Sequence, residues 1–398
     1  PAMARAMTAL AERHPDDAEI ALFTANALGM AGRVAEAKTF ARRARTLDPE
    51  FASALWQEAA LLQEDDTDTA VKLLDECLRI SPAAASCLRV RSGIRAARGD
   101  CAGFESDARR MTEIEPRGPR AYEYLAAALA ARGAPLDSVR ASLDKRASLG
   151  VAGTSASDSP AEMRVQADLW VALLRGDLVA AEAAAIALDK VYDGDASEAS
   201  HVVPALTLID IYEERGEPER ALEVAESFVR RLPAWTANAP HGVRARLVAL
   251  RRRAGILDAE RAHAERETLV RESMEASADA ADPRRAVYFW LATEAQYVAS
   301  AAEAKEALAH LAGGASHDAG PLQGFAVWAR GKAELLGGDP TEAARLLRQA
   351  LSTCTAMPTT DGGFERVPFT WMEAQLLLGE ALEERDREGA CEAYARVI

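Results

Sequence analysis

The chain has 398 residues, 49% of them hydrophobic but only 6% aromatic, and its formal net charge is −15. That charge disfavours nonspecific binding to nucleic acid or to an anionic membrane, and no run of 18 apolar residues supplies a membrane insertion. The apolar share is mostly Ala, with Leu and Val, which suits closely packed helices. Val and Ile never alternate over a strand-length window, so no sheet is expected.

Residues 1–14 read as one helix with Met3, Met7 and Leu10 on a face, closed by Pro15. Pro49, Pro82 and Pro116 follow at intervals of 34, 33 and 34 residues. The offsets of the first helix recur before each of them: Ala37, Ala41 and Ala44; Ala70, Leu74 and Cys77; Phe104, Ala108 and Met111. Residues spaced by four and three share a helix face, so each unit is expected to bury the same stripe. Gly32 and Gly99 stand 17 residues before Pro49 and Pro116. Gly can take the left-handed conformation that reverses the chain, and Pro cannot continue a helix, so a unit reads as helix, Gly turn, helix, Pro stop.

This unit resembles the tetratricopeptide repeat (TPR), and residues 15–49 are a near-consensus copy. The second unit replaces the turn Gly with Asp65-Asp66, and the fourth keeps Tyr122, Leu125, Leu129 and Gly133 but places Pro135 early in its second helix. The small-residue stretch 148–160 reads as a flexible loop. The pattern resumes at Gly176 (then Ala181, Ala185, Leu188), at Gly216 (Ala221, Ala225, Phe228, Pro233) and at Gly338 (Ala343, Leu347, Ala350). It is degenerate over 240–312, with one pair around Gly255 and another at 283–312, and it ends in a unit holding Trp371, Leu378, Gly379, Leu382, Ala390 and Tyr394. Loops at 190–201, 313–321 and 356–368 are longer than consensus.

The resemblance implies an all-α fold, an α-solenoid of antiparallel helix pairs in a right-handed superhelix of about ten repeats. The expected organisation is an N-terminal subarray at 1–147 (a half repeat plus four repeats), the loop at 148–160, and a C-terminal subarray at 161–398. The first helix lacks a partner and Ile398 ends in mid-pattern, so the chain is expected to be part of something longer, with self-association through uncapped ends as a further contact.

Chemical signatures are missing. Gly324 to Gly331-Lys332 imitates a nucleotide-binding loop, but with six residues between the glycines and no Ser or Thr after Lys, in a stretch where a helix should run. The six histidines include no H-E-x-x-H and no His pair spaced by four; His310, His317 and Asp318 read as solvated surface. Neither a nucleophile elbow nor a kinase signature occurs. Catalytic residues, cofactors and metal ligands are therefore not expected. Five cysteines (Cys77, Cys87, Cys101, Cys354, Cys391) form no C-x-x-C pair and are odd in number. Each falls in an expected helix or its adjoining turn, so buried thiols, a reducing compartment and a cytoplasmic location are the reading.

In TPR proteins the first helices line a concave surface. Carried over residue by residue, Leu22, Asn26 and Met30 face the groove in the first full unit, followed by Trp56, Gln63 and Arg89, then Glu123 and Asp210. Asn26 sits where chaperone-binding members place an Asn against a peptide's terminal carboxylate. The other clamp slots hold Leu22, Gln57, Ser86 and Val90, so chaperone tails are not the expected ligand. Trp56, Trp170 and Trp328 are candidate anchors, although a Trp in a helical pair is more often packing. Arg244, Arg246, Arg251, Arg252 and Arg253 form the densest basic patch. It reads first as a face of interhelix ion pairs, and second, through Arg252, as a charged part of the groove. The functional expectation is a non-enzymatic scaffold for a peptide or protein partner. The alternative is the regulatory or sensor arm of a larger bacterial signalling protein, a serine/threonine kinase or a transcription regulator, because the last unit resembles repeat regions attached to serine/threonine kinases and similar arrays serve as effector-sensing arms of large transcription regulators.

Overall fold

The computed structural model describes residues 2–63, 66–150, 159–192, 202–231, 241–277, 295, 297–313, 323–354 and 367–397. Among them run twenty helices and no strand. The first nine are α1 (Ala2–Arg13), α2 (Ala18–Met30), α3 (Val34–Leu47), α4 (Ala52–Leu62), α5 (Thr67–Ile80), α6 (Ala85–Ala97), α7 (Cys101–Ile114), α8 (Pro119–Ala131) and α9 (Leu136–Ser148). Then come α10 (Pro160–Leu174), α11 (Leu178–Tyr192), α12 (Val202–Glu214), α13 (Pro218–Arg231), α14 (His241–Arg253) and α15 (Ala259–Ser277). The last are α16 (Ala301–Gly313), α17 (Gln323–Gly337), α18 (Pro340–Leu351), α19 (Val367–Leu382) and α20 (Arg387–Ala395). The nucleotide-loop imitation falls inside α17, where Gly331 lets the helix approach Leu347.

Each turn glycine named from the repeat takes the left-handed conformation: Gly32, Gly99, Gly133, Gly176, Gly216, Gly255 and Gly338 have φ from +67° to +99°. After three of them comes an Asp whose carboxylate accepts a backbone N–H from the next helix. Asp100 accepts from Gly103 at 2.8 Å, Asp177 from Ala180 at 3.0 Å and Asp339 from Glu342 at 3.0 Å. A Gly-Asp pair thus reverses the chain and satisfies an amide that has no partner inside its helix.

The repeated stripe is the core. Ala37, Ala41, Ala44, Ala70, Leu74, Cys77, Phe104, Ala108, Met111, Ala181, Ala185, Leu188, Ala221, Ala225 and Phe228 are all at most 2% exposed. The first helix departs from the expectation. Met3 is 52% exposed, while Ala4 and Ala11 are buried. In later units the stripe packs on the first helix of its own pair, and α1 has no such partner among the described residues. Apolar packing continues past residues 148–160, since Val139 and Leu143 of α9 share a cluster with Ala167 and Trp170 of α10. Asp65, Pro233, most of the 148–160 stretch, most of the longer loops and the first helix of the 283–312 pair lie outside the described residues.

The cysteines correct the sequence reading. Cys77 is bonded to Cys87, and Cys101 to Cys354, which is 253 positions away; Cys391 is exposed and unpaired. Spacing along a repeat does not show which turns the superhelix brings together. The support that unpaired thiols lent to a reducing, cytoplasmic setting falls with them. None of the described helices is long and apolar enough to cross a membrane.

Candidate interaction surface

First helices of successive pairs touch one another (α2 with α4, α4 with α6, α12 with α14, α17 with α19), so they form the inner side of the array. On α2 the open face is a stripe of Glu19, Phe23, Asn26 and Met30, spaced by four, three and four. Phe23 is 58% exposed and Met30 76%. Leu22, expected on the groove, instead packs with Phe40 and Phe51 on a small cluster of Ala21, Ala44 and Ala54. Slot-by-slot transfer missed Phe23; its spacing from Glu19 and Met30 is the signal that finds it.

Further along, the surface changes character. Trp56 is half-buried against the main cluster, with its indole Nε1 buried and without a hydrogen-bond partner; Gln63 and Arg89 are also half-buried. Trp170 and Trp328 are 4% and 3% exposed, so both are packing residues. Glu123 is paired with Arg146 at 3.1 Å. Asp210, 5% exposed, accepts from Arg246 at 2.7 Å. Arg252 is paired with Glu303, Arg244 with Glu272, Arg251 with Glu226, and Arg253 with Glu213. The whole basic patch is therefore an ion-pair face. Asp210 and Arg252 are corrected from groove contacts to internal partners, since a carboxylate or guanidinium near the core keeps its charge only when paired.

The far end of the chain also returns into the concavity. The backbone N–H of Cys354 donates to the carbonyl of Ala96, near the end of α6, at 2.8 Å, and the disulfide to Cys101 holds it there. Cys354 is 2% exposed and shares a cluster with Ala127, Trp170 and Val171. Phe369, at the start of α19, joins the cluster of Leu169, Leu208, Ile211 and Leu247, with Met372 packed beside it. The inner face from α6 to α14 is therefore covered in part by the chain itself, and the stripe on α2 lies outside that cover.

No curated protein matches the chain in sequence. The family model described as Tetratricopeptide repeat matches residues 373–398. Solved structures similar to it include PilF of Pseudomonas aeruginosa, at 15% identity over 55% of this chain and 93% of that one, with a TM-score of 0.40. YrrB, described as a TPR protein with an unusual peptide-binding site, matches at 15% identity over 58% and 94%, with a TM-score of 0.29. The TPR domain of P58(IPK) matches at 15% identity over 92% and 99%, with a TM-score of 0.26. At these scores nothing about this chain follows from what those proteins bind. The matched last unit and the helix-turn-helix geometry of the earlier ones agree with the period marked by prolines and glycines: the chain is a TPR-type α-solenoid.

Proposed function

We propose that the chain is a non-enzymatic scaffold that binds a peptide or protein segment on the open front of its inner face. The stripe of Phe23, Asn26 and Met30 carries this reading, because it is the part of the candidate groove that neither internal ion pairs nor the chain's own far end occupy. Phe23 and Met30 are two helical turns apart, about 10 Å, a spacing that suits apolar side chains one heptad apart on a partner helix or a few residues apart on an extended segment. Trp56, Gln63 and Arg89 continue the surface toward α6. In this reading subarray 1–147 offers the surface, while subarray 161–398 returns across the concavity.

Peptides selected from a displayed library on the full chain test it. Their affinity should fall about tenfold or more with Phe23→Glu and with Met30→Glu, as for other interface anchors. Val179→Glu, at an exposed apolar position on α11, should leave it unchanged. Equal binding to all three variants would sink the assignment.

A further inference from the structure

Away from the inner face, α15 and α16 carry two matched pairs of ligating side chains. His263 and Glu267 stand one turn apart on α15; Glu306 and His310 stand one turn apart on α16. A spacing of four places both members of a pair on the same face. His263 Nδ1 lies 2.8 Å from Glu306 Oε1, and His310 Nε2 lies 3.5 Å from Glu267 Oε1. The ligand atoms of His263, Glu267 and Glu306 all fall within 4.8 Å of one another.

We propose that these four side chains form a site for a divalent transition cation of the zinc class, which pins α15 to α16. Two imidazole nitrogens and two carboxylate oxygens are the donors that Zn²⁺, Co²⁺, Ni²⁺ and Cu²⁺ prefer, whereas Ca²⁺ and Mg²⁺ call for six or more oxygens, some from water. Metal–ligand bonds of about 2.0–2.1 Å in a tetrahedron set donor atoms about 3.3 Å apart. The side chains are between 30% and 51% exposed, so they can close to that spacing by rotamer shifts without disturbing a packed core. Arg252 and Arg266, nearby guanidiniums, are engaged by Glu303.

As bare ion pairs these contacts are worth little, because half-exposed pairs gain modest Coulomb energy. With a cation they act at the junction between α15 and α16. Ala262 and Leu269 of α15 pack in a small cluster with Ala245 and Val248 of α14. Ala304, Ala307 and Leu311 of α16 belong to the cluster that runs on to α20, and Val270 of α15 joins it. A cation bound by both helices favours the joined state by mass action.

Zinc and cobalt added to the full chain test the site. One equivalent of Co²⁺ should give the intense visible absorption of a four-coordinate centre, and Zn²⁺ should displace it. His263→Ala and His310→Ala should each weaken zinc binding, read by calorimetry, by about tenfold or more, whereas His14→Ala should not. Zinc should raise the thermal midpoint of the wild type and not that of the His263→Ala/His310→Ala double variant, whose circular dichroism reports whether it folds. Either of two results would overturn the proposal: no metal binding at one equivalent, or binding as tight in the double variant as in the wild type.

Discussion

Gly99 and Gly133 have nearly the same backbone, at φ +74° and +67°, and opposite surroundings. A Cβ on Gly133 meets nothing within 4 Å, whereas one on Gly99 falls 2.1 Å from the carbonyl oxygen of Ser352. Gly133→Ala therefore carries only the strain of a left-handed residue, about 1–2 kcal/mol. Gly99→Ala carries that strain and also displaces the 352–354 segment. Urea denaturation of the two variants should show the greater loss at Gly99, and equal losses would show that Ser352 does not seat there. The buried carboxylates are the other single residues on which the packing depends. Glu58 is gripped by Arg42 and Arg45, and Asp107 by Arg91 and Arg95. Their position among apolar residues such as Leu55, Ala59, Phe104 and Ala108 is visible in the sequence; the partners that make it tolerable are not.

At the scale of elements, helix pairs and their turns were legible because local chemistry dictates them. A Gly at the reversal, an Asp capping the next helix and an apolar residue every three or four positions are all contained within one unit. Junctions between units were harder to read, and the meeting of α11, α12 and α13 shows why. Glu182 of α11 accepts from Tyr212 at 2.8 Å and Arg220 at 2.6 Å, and Arg220 also lies over the Tyr212 ring. These partners come from different helices at separations no period encodes. Burial opposes charge on Glu182, but the bonds from Tyr212 and Arg220 outweigh it and hold the carboxyl below its ordinary range. Burial and the bond to Glu182 push Tyr212 from 10.0 up to about 12. An unfolded tyrosine gives up its proton first, so the folded state binds more protons above pH 10. The contribution of Tyr212 is intact below that pH and is lost as pH rises through about 12. Glu182 acts in the other direction: its contribution is present above the ordinary carboxylate range and fades as pH falls through its lowered value. Wild-type stability, followed by denaturant titration, should therefore decline more steeply than that of Tyr212→Phe between pH 10 and 12. Parallel pH curves would remove the Glu182–Tyr212 bond from the account.

Over the whole molecule, the curvature of the array decides which candidate residues remain available, and curvature accumulates over many interfaces without a signature in any one unit. Asn26 and Met30 are exposed on α2, whereas Asp210 and Arg252, expected on the groove, are held in ion pairs with Arg246 and Glu303. The Cys101–Cys354 bridge likewise joins turns that no single unit brings together. In the chain-entropy view, the two bridges constrain the unfolded chain very unequally, since they span 253 and 10 residues. The expected contributions are about 5 and about 3 kcal/mol. Cys101→Ser/Cys354→Ser should lower the thermal midpoint more than Cys77→Ser/Cys87→Ser, as read by calorimetry without reductant. A larger drop for the short bridge would contradict the seating of Cys354 against α6.

The bond between Cys101 and Cys354 also gives the chain a covalent topology unlike that of an open solenoid. It is a lasso, a closed loop with a tail at each end. A single peptide-bond cut inside the loop leaves one covalent molecule, whereas a cut in a tail sheds a fragment unless it falls between Cys77 and Cys87, which their own bridge holds together. The Phe23–Met30 stripe rides on the front tail and the paired histidines and glutamates sit within the loop. The surface proposed to meet a partner can therefore be detached by proteolysis while the loop stays covalently closed.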